Sequence, residues 1–397
     1  MKSGKTRSEP GKKRFEKGKN HLELKNPPES EKIPKHIGLV TYTIGKAGLS
    51  PLQDLIEILN EITDEVCLIV TKDQEIKDMK FNSFAEIDHE GGGNPFKRFL
   101  NIFITQMRIC SAIFRMKKAE NLIFFMGGEI LILPMLVSKI LGKKVFLALA
   151  ASQKSMSNVN KDFFRFFSFI CDINFYLADE IIVYSQNLVK EWDLTRYEYK
   201  ISFASQHIID PDKFYKFKEI SQRENQIGYI GRLSPEKGVL NLVKAVPLIL
   251  DERKDVKFTV IGDGKLMPEI AEYVTCNRLE ENLDLKGWVD HQELTGYLNE
   301  FKVLILPSYT EGLPGVILEA MACGTPVLIT GVGSMPDIID DHVNGFLLKD
   351  NSVNSIKNGV IEALNYPELN RISDNGIQTT RSFTFNEAIN KYKNILQ

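Results

Sequence analysis

No CxxC pair and no Cys/His couple at metal-ligand spacing occurs among the 397 residues. The five cysteines (Cys67, Cys110, Cys171, Cys276, Cys323) are scattered, odd in number and mostly set in apolar runs. A disulfide framework or a zinc site is therefore not expected, and the thiols read as buried and free, as in a reducing compartment. Excess charge of one sign is also missing: 50 Lys and Arg face 52 Asp and Glu, for a formal net charge of −2. Nothing in that balance argues for nucleic acid as a partner. Uninterrupted apolar runs are too short to cross a membrane, which takes about 20 residues. The closest approach, LIFFMGGEILILPMLVSKILGKKVFLALA at 122–150, is broken by Gly127-Gly128-Glu129, by Pro134 and by Ser138-Lys139. It reads instead as strand (122–126), helix (129–141) and strand (145–149). The first twenty residues hold eight Lys/Arg against Glu9 and Glu16 and have no apolar segment. Residues 1–32 are thus expected to be a disordered basic tail, not a secretory signal. No Walker motif, no G-x-G-x-x-G after the first strand and no fixed-period repeat is present.

What is present is alternation. Apolar, β-branched runs at 37–44, 66–70, 122–126, 145–149 and 180–185 are separated by helical stretches, and a second series follows at 227–231, 257–262, 283–289, 303–308 and 326–330. Runs buried on both faces, joined by crossovers of ten or more residues, mean parallel sheets. Two such series in a chain of this length give two doubly wound, Rossmann-like α/β domains, with parallel sheets facing a cleft. The expected boundaries are 33–205 and 206–378, with 379–397 a C-terminal helix packing back towards the first domain. After the first strand, Ser50 is expected to cap a helix, with Pro51 at its first position and Gln53 completing a capping box.

In doubly wound sheets ligands sit at the carboxyl ends of the strands, so the loops there carry the chemistry. IGYIGRLSPEKGVL leaves its strand at Gly231 and presents Arg232 and Lys237, two cations five residues apart beside a helix start, which suits a diphosphate. On spacing alone a surface ion pair explains them equally well. IGDGK (Gly262-Asp263-Gly264) allows close backbone approach. In LPSYTEGLPGVILEAMACGTPV, Glu311 falls in the loop and Glu319 on the second turn of the following helix. Between them, Gly312 to Val316 can turn backbone amides toward an anion on the helix axis. A carboxylate on that helix can accept hydrogen bonds from sugar hydroxyls. Together these features call for a ligand with both phosphate and polyol.

GRLSPEKG, VIGDG, LKGWVDHQEL, LPSYTEGLPGVILEAMACGTPV and DDHVNGFLL, in this order, resemble the C-terminal domain of the retaining glycosyltransferases of family 4 (glycosyl transferases group 1), whose fold is GT-B. The resemblance is dense from Ile227 to about Leu348 and thinner from Ile37 to Lys218. It implies transfer of a sugar from a UDP-, GDP- or ADP-linked donor, with retained configuration and without a metal or other cofactor. It implies that Glu311, Arg232 and Lys237 are catalytic. The donor would be bound by Gly48, Gly231, Arg232, Lys237, Val289, Glu311, Gly312, Leu313, Pro314, Gly315, Val316 and Glu319. Asp210-Pro211-Asp212 looks like a metal-binding Asp-x-Asp but falls in the family's inter-domain segment. Two departures stand out: Gly45-Lys46-Ala47-Gly48 replaces the usual glycine pair, and Ala150-Ala151-Ser152-Gln153 stands where many members carry a histidine.

The acceptor side is read from residues 96–118, a long helix on which Lys97, Asn101, Arg108, Ser111 and Arg115 share one stripe at 100° per residue. A solvated face is one reading. A surface for anionic lipid is the other, joined by the basic tail and by FFRFFSF at 163–169, as suits a lipid-linked or other glycan acceptor in polysaccharide or glycoconjugate synthesis. A cytoplasmic protein, peripheral on the inner membrane face, is the matching location. The competing functions are a nucleotide-sugar hydrolase or epimerase on the same fold, and a non-catalytic nucleotide-sugar-binding protein.

Overall fold

The computed structural model describes residues 34–42, 48–71, 81–88, 95–149 and 161–397. The basic tail, Gly45-Lys46-Ala47 and the Ala150–Gln153 segment lie outside them.

Two parallel sheets organise the chain. The first contains β1 (His36–Thr41), β2 (Glu65–Thr71), β3 (Ser83–Ile87), β4 (Asn121–Phe125), β5 (Lys144–Leu149), β6 (Glu180–Val183) and β7 (Ile201–Phe203), ordered β3-β2-β1-β4-β5-β6-β7. The second contains β8 (Gln226–Ile230), β9 (Lys257–Ile261), β10 (Leu283–Gly287), β11 (Val303–Leu306), β12 (Val327–Thr330) and β13 (Phe346–Leu348), ordered β10-β9-β8-β11-β12-β13. The order therefore reverses twice, beside β1 and beside β8. At such a reversal adjacent strands send their crossovers to opposite faces, and a crevice opens between the loops. In the second sheet the crevice lies between β8 and β11, paired in parallel at Val303–Ile227 and Leu304–Gly228.

The apolar runs form strands because both of their faces are covered. Ile37 and Leu39 pack on one side of the first sheet and Val40 on the other. The side of Ile37 is closed partly by the last helix, Phe385–Leu396, whose Tyr392 and Leu396 lie in the same cluster. That helix starts on a cap in which Thr384 Oγ accepts from Glu387 N. Asn121 Nδ2 donates to Leu396 O (3.2 Å) at its end.

Several local expectations are corrected. The helix after β1 runs Leu49–Asn60 with Gly48, not Ser50, at its N-cap, and it has no capping box. Gln53 instead donates from Nε2 to Glu57 Oε1, one turn along. The stretch read as a helix over 129–141 divides at Leu131 into a 3-10 turn, Gly128–Ile130, and a helix, Ile132–Ile140. β3, β7 and β13 are additional strands. They are short and paired on one side only, so they show no long buried run to read. Cys276 is exposed, whereas the other four thiols are buried. Among the described residues no helix is long and apolar enough to cross a membrane.

The connection between the sheets is anchored by Arg223, 4% exposed. Its Nη1 donates to Leu298 O, Phe301 O and Thr325 Oγ1 at 2.8–3.1 Å, and its Nη2 to Lys218 O and Cys323 O. Burial lowers the guanidinium to about 10, and the ring of carbonyls offsets that desolvation. Because Cys323–Thr325 follows the helix carrying Glu319, Arg223 also fixes where that helix ends. Arg223→Met strips several buried acceptors of their donor, each worth ~1–3 kcal/mol. Urea unfolding should show a loss of ~3 kcal/mol or more; a loss below ~1 kcal/mol would mean the linker is not held this way.

Candidate active site

The two loops beside the β8/β11 reversal meet. β8 ends at Ile230, Gly231 N donates to Ile261 O (3.0 Å), and the chain turns through Arg232 into the 3-10 turn Pro235–Lys237. From the other side, β11 ends at Leu306 and the chain reaches Glu311 through Ser308. Lys237 Nζ lies 2.6 Å from Glu311 Oε1 and 2.7 Å from Oε2. Ser308 Oγ donates to Oε1 as well, at 2.7 Å. Glu311 is 7% exposed, so both of its oxygens are matched with donors in a site nearly closed to water. Arg232 is turned outward. Its Nη2 is 3.5 Å from Glu236, and its side chain is 57% exposed.

The glycines of IGDGK serve packing. Gly262, at φ +134°, passes so close to Gly231 that a Cβ would lie 1.9 Å from the Gly231 carbonyl oxygen. Gly264 does the same against Leu233 O, at 2.4 Å. The backbone approach read from sequence is thus an approach to the Arg232 loop. The EGLPG loop is braced in the same manner by Gly333 (φ +62°), where a Cβ would meet Glu311 O at 2.3 Å and Gly312 O at 2.6 Å. Ser334 N donates to Gly312 O (2.9 Å). The same turn reaches the first domain: Asn187 N donates to Asp337 Oδ2 (2.6 Å) and Asn187 Nδ2 to Gly333 O (2.7 Å).

Helix Gly315–Ala322 begins beyond Leu313 and Pro314, with Pro314 at its N-cap and no side-chain cap. The amides of its first turn, Gly315 and Val316, need partners, and the helix dipole adds to their pull on an anion. Glu319, on the second turn, is not joined to Glu311. Its Oε1 lies 2.8 Å from His291 Nε2, and His291 Nδ1 lies 2.8 Å from Lys213 Nζ. Val289 is half-buried against the core of the second sheet. Gly48 heads the helix that carries Asp54, and Asp54 couples electrostatically to Glu319 and His291 from the first domain. Burial, then Glu57 and Glu319, raise Asp54 to about 7, opposed by His291.

Asp210 and Asp212 form a turn: Asp212 N donates to Asp210 Oδ1 (2.9 Å) and Phe214 N to Asp210 O (2.9 Å). Among the described residues no group of three or more His, Cys, Asp or Glu is arranged to hold a metal ion. Sequence reasoning missed Ser308, Lys213, His291, Asp54 and Gly333. Of these, His291, inside LKGWVDHQEL after β10, and Ser308, inside LPSYTEGLPG after β11, carried a positional signal.

Residues 211–379 match the family model "Glycosyl transferases group 1". That segment belongs to this family. Of the curated relatives, an uncharacterised glycosyltransferase of Methanocaldococcus jannaschii is 32% identical over 176 residues, 43% of this chain and 48% of the relative. A UDP-Gal:α-D-GlcNAc-diphosphoundecaprenol α-1,3-galactosyltransferase of Escherichia coli is 31% identical over 149 residues, 37% of this chain and 38% of the relative. The chain thus spans about half or less of the length of these two relatives. Among solved structures, HepE of Anabaena in complex with UDP superposes with a TM-score of 0.74 at 16% identity, covering 90% of this chain and 99% of that one. The fold is GT-B, as the resemblance implied, and the group 1 domain is its second half.

Asp54 faces the group 1 domain across the cleft, and its titration is a handle on that contact. A carboxyl raised in the folded state adds stability while protonated and loses it as pH rises through the folded value. Relative to Asp54→Asn, the wild type should weaken progressively from about pH 4 to pH 7, with the gap constant above that. Thermal unfolding of both proteins at pH 5 and pH 8 checks this; an equal difference at the two values would place Asp54 in solvent.

Proposed function

We propose that the chain transfers a sugar from a nucleotide diphosphate to a hydroxyl acceptor with retention of configuration. The supporting observation is the convergence at one strand reversal of Lys237, Glu311, Arg232 and the uncapped start of helix Gly315–Ala322. Leaving-group departure puts charge on the diphosphate; the fixed Lys237 and the helix amides can stabilise it without reorganising, and the exposed Arg232 can swing onto it. In this reading Arg232 and Lys237 hold the diphosphate and Glu311 positions the donor sugar. Glu319 accepts from the ribose hydroxyls, while Gly48, Gly231, Val289 and Gly312–Val316 line the donor. The C1–O bond to the diphosphate breaks, the acceptor oxygen bonds to C1, and its proton leaves with the diphosphate. The two cations do the work a metal does elsewhere, so no metal is required. Because HepE was crystallised with UDP and the E. coli relative is named for UDP-galactose, uracil is the first base to test.

Titration with UDP, GDP and ADP in the presence of EDTA should raise the melting temperature with one diphosphate. Ligand at a hundred times its Kd adds about 2.7 kcal/mol. Glu311→Gln should keep that shift and lose sugar transfer by about a hundredfold or more. Unchanged turnover would remove Glu311 from the chemistry, and free sugar released without acceptor would favour the hydrolase.

For the acceptor we infer a glycan or lipid-linked glycan, presented at an anionic membrane on the cytoplasmic side. Helix Pro95–Arg115 supports this beyond its basic stripe: Leu100, Phe103, Met107 and Phe114 form a second, apolar stripe, and all four are exposed. Exposed apolar side chains beside cations suit a lipid headgroup boundary. A groove of about 840 Å³ between β3 and this helix adds Lys117 and Lys118 to Arg108 and Arg115. In sedimentation with vesicles containing phosphatidylglycerol, Lys97→Ala/Arg108→Ala/Arg115→Ala should bind about tenfold more weakly than wild type. Equal partitioning would remove the helix from this account.

A further inference from the structure

Glu319 is held from behind. His291 sits between it and Lys213, with both ring nitrogens at 2.8 Å from their partners. A lysine ammonium has only donors to offer, so Nδ1 must accept from Lys213. The ring proton then lies on Nε2, pointing at Glu319 Oε1. The ring is also packed on Phe214, centroids 5.4 Å apart. Lys213 is tied through its own carbonyl, which accepts from Thr295 Oγ1 (2.8 Å). No described residue bonds the second carboxylate oxygen, Oε2.

We propose that His291, braced by Lys213, is a positioning residue that turns Glu319 so that Oε2 reads the ribose of the donor nucleotide. This rests on the nucleotide-sugar reading of the cleft. The physical argument is one of orientation. A glutamate has three rotatable bonds, and the Glu319 carboxylate also couples to the like charge of Asp54 across the cleft, so without a fixed donor its carboxylate has no single orientation. One donor fixed at Oε1 removes that freedom and leaves Oε2 as the acceptor for vicinal hydroxyls. Ribose is therefore separated from deoxyribose by a residue that never touches it.

The test takes whichever of UDP, GDP and ADP the wild-type chain binds, together with its 2′,3′-dideoxy counterpart. Dissociation constants are measured calorimetrically for wild type, His291→Ala and His291→Gln. His291 is 53% exposed, so neither substitution empties a core position. Wild type should prefer the ribose form by about tenfold or more, the scale of hydrogen bonds to a charged group. His291→Ala should lose most of that preference by weakening the ribose form alone, with donor KM raised and kcat held within about twofold. His291→Gln, whose amide can still donate to Glu319, should recover part of it. Preference retained in His291→Ala, or equal loss of both ligands, overturns the role of His291. A wild type that binds a diphosphate without preferring ribose also overturns the proposal. A wild type that binds none of the three overturns the nucleotide reading beneath it.

Discussion

The contact between Lys237 and Glu311 is the constraint on which the cleft depends. A carboxylate that is 7% exposed cannot stay charged without partners, and both of its oxygens are matched by Lys237 and Ser308. Those partners come from the loops after β8 and β11, adjacent strands whose crossovers leave in opposite directions. Sheet order creates the crevice, and the ion pair closes its floor. Breaking either half would leave an unpaired charge beside the start of helix Gly315–Ala322, a far larger cost than a surface ion pair carries.

The same loop is tied to the other domain by the turn around Gly333. On one side Gly333 and Ser334 touch the backbone of Glu311 and Gly312; on the other, Asp337 and Gly333 receive Asn187. Asp337 supplies the carboxylate for the amide at the start of helix Gln186–Glu191, whose own Ser185 makes no side-chain cap. A movement of the first domain is therefore felt within a few bonds of Glu311. Asp54 and Glu319 make a second, purely electrostatic contact across the cleft. Between them, the position of one domain and the electrostatics of the other are coupled.

The fold was largely legible because β1, β2, β4, β5, β8, β11 and β12 are covered on both faces, and such strands are nearly all apolar. β3, β7 and β13 were not, since three to five residues paired on one side need no such run. Gly48 stands where Ser50 was expected as helix cap, and with the helix starting at Leu49 the Gln53 side chain falls inside it and bonds Glu57 one turn on. In the site, Arg232, Lys237 and Glu311 could each be placed at a strand's carboxyl end, and Glu319 on the helix that follows. Their pairing could not, because it depends on strand order in space. Lys213, His291 and Glu319 are separated by 78 and 28 positions, and no periodicity links them.

The two cations differ in a way that bears on how a diphosphate enters. Lys237 is committed: its partner is buried and holds it by both oxygens. Among the described residues the Arg232 side chain pairs only with Glu236, at 3.5 Å and in solvent, a contact worth ~0–1 kcal/mol. Before a ligand arrives, Arg232 and Lys237 are balanced by Glu236 and Glu311. A diphosphate would tip that balance by drawing Arg232 off Glu236 at little cost, while Lys237 stayed in place and was shared. In the proposed reading, one fixed cation would set where the phosphate sits and one mobile cation would close over it. The fixed one is also the one attached to Glu311, so a bound diphosphate and the residue proposed to position the sugar would be registered to each other through a single ammonium group.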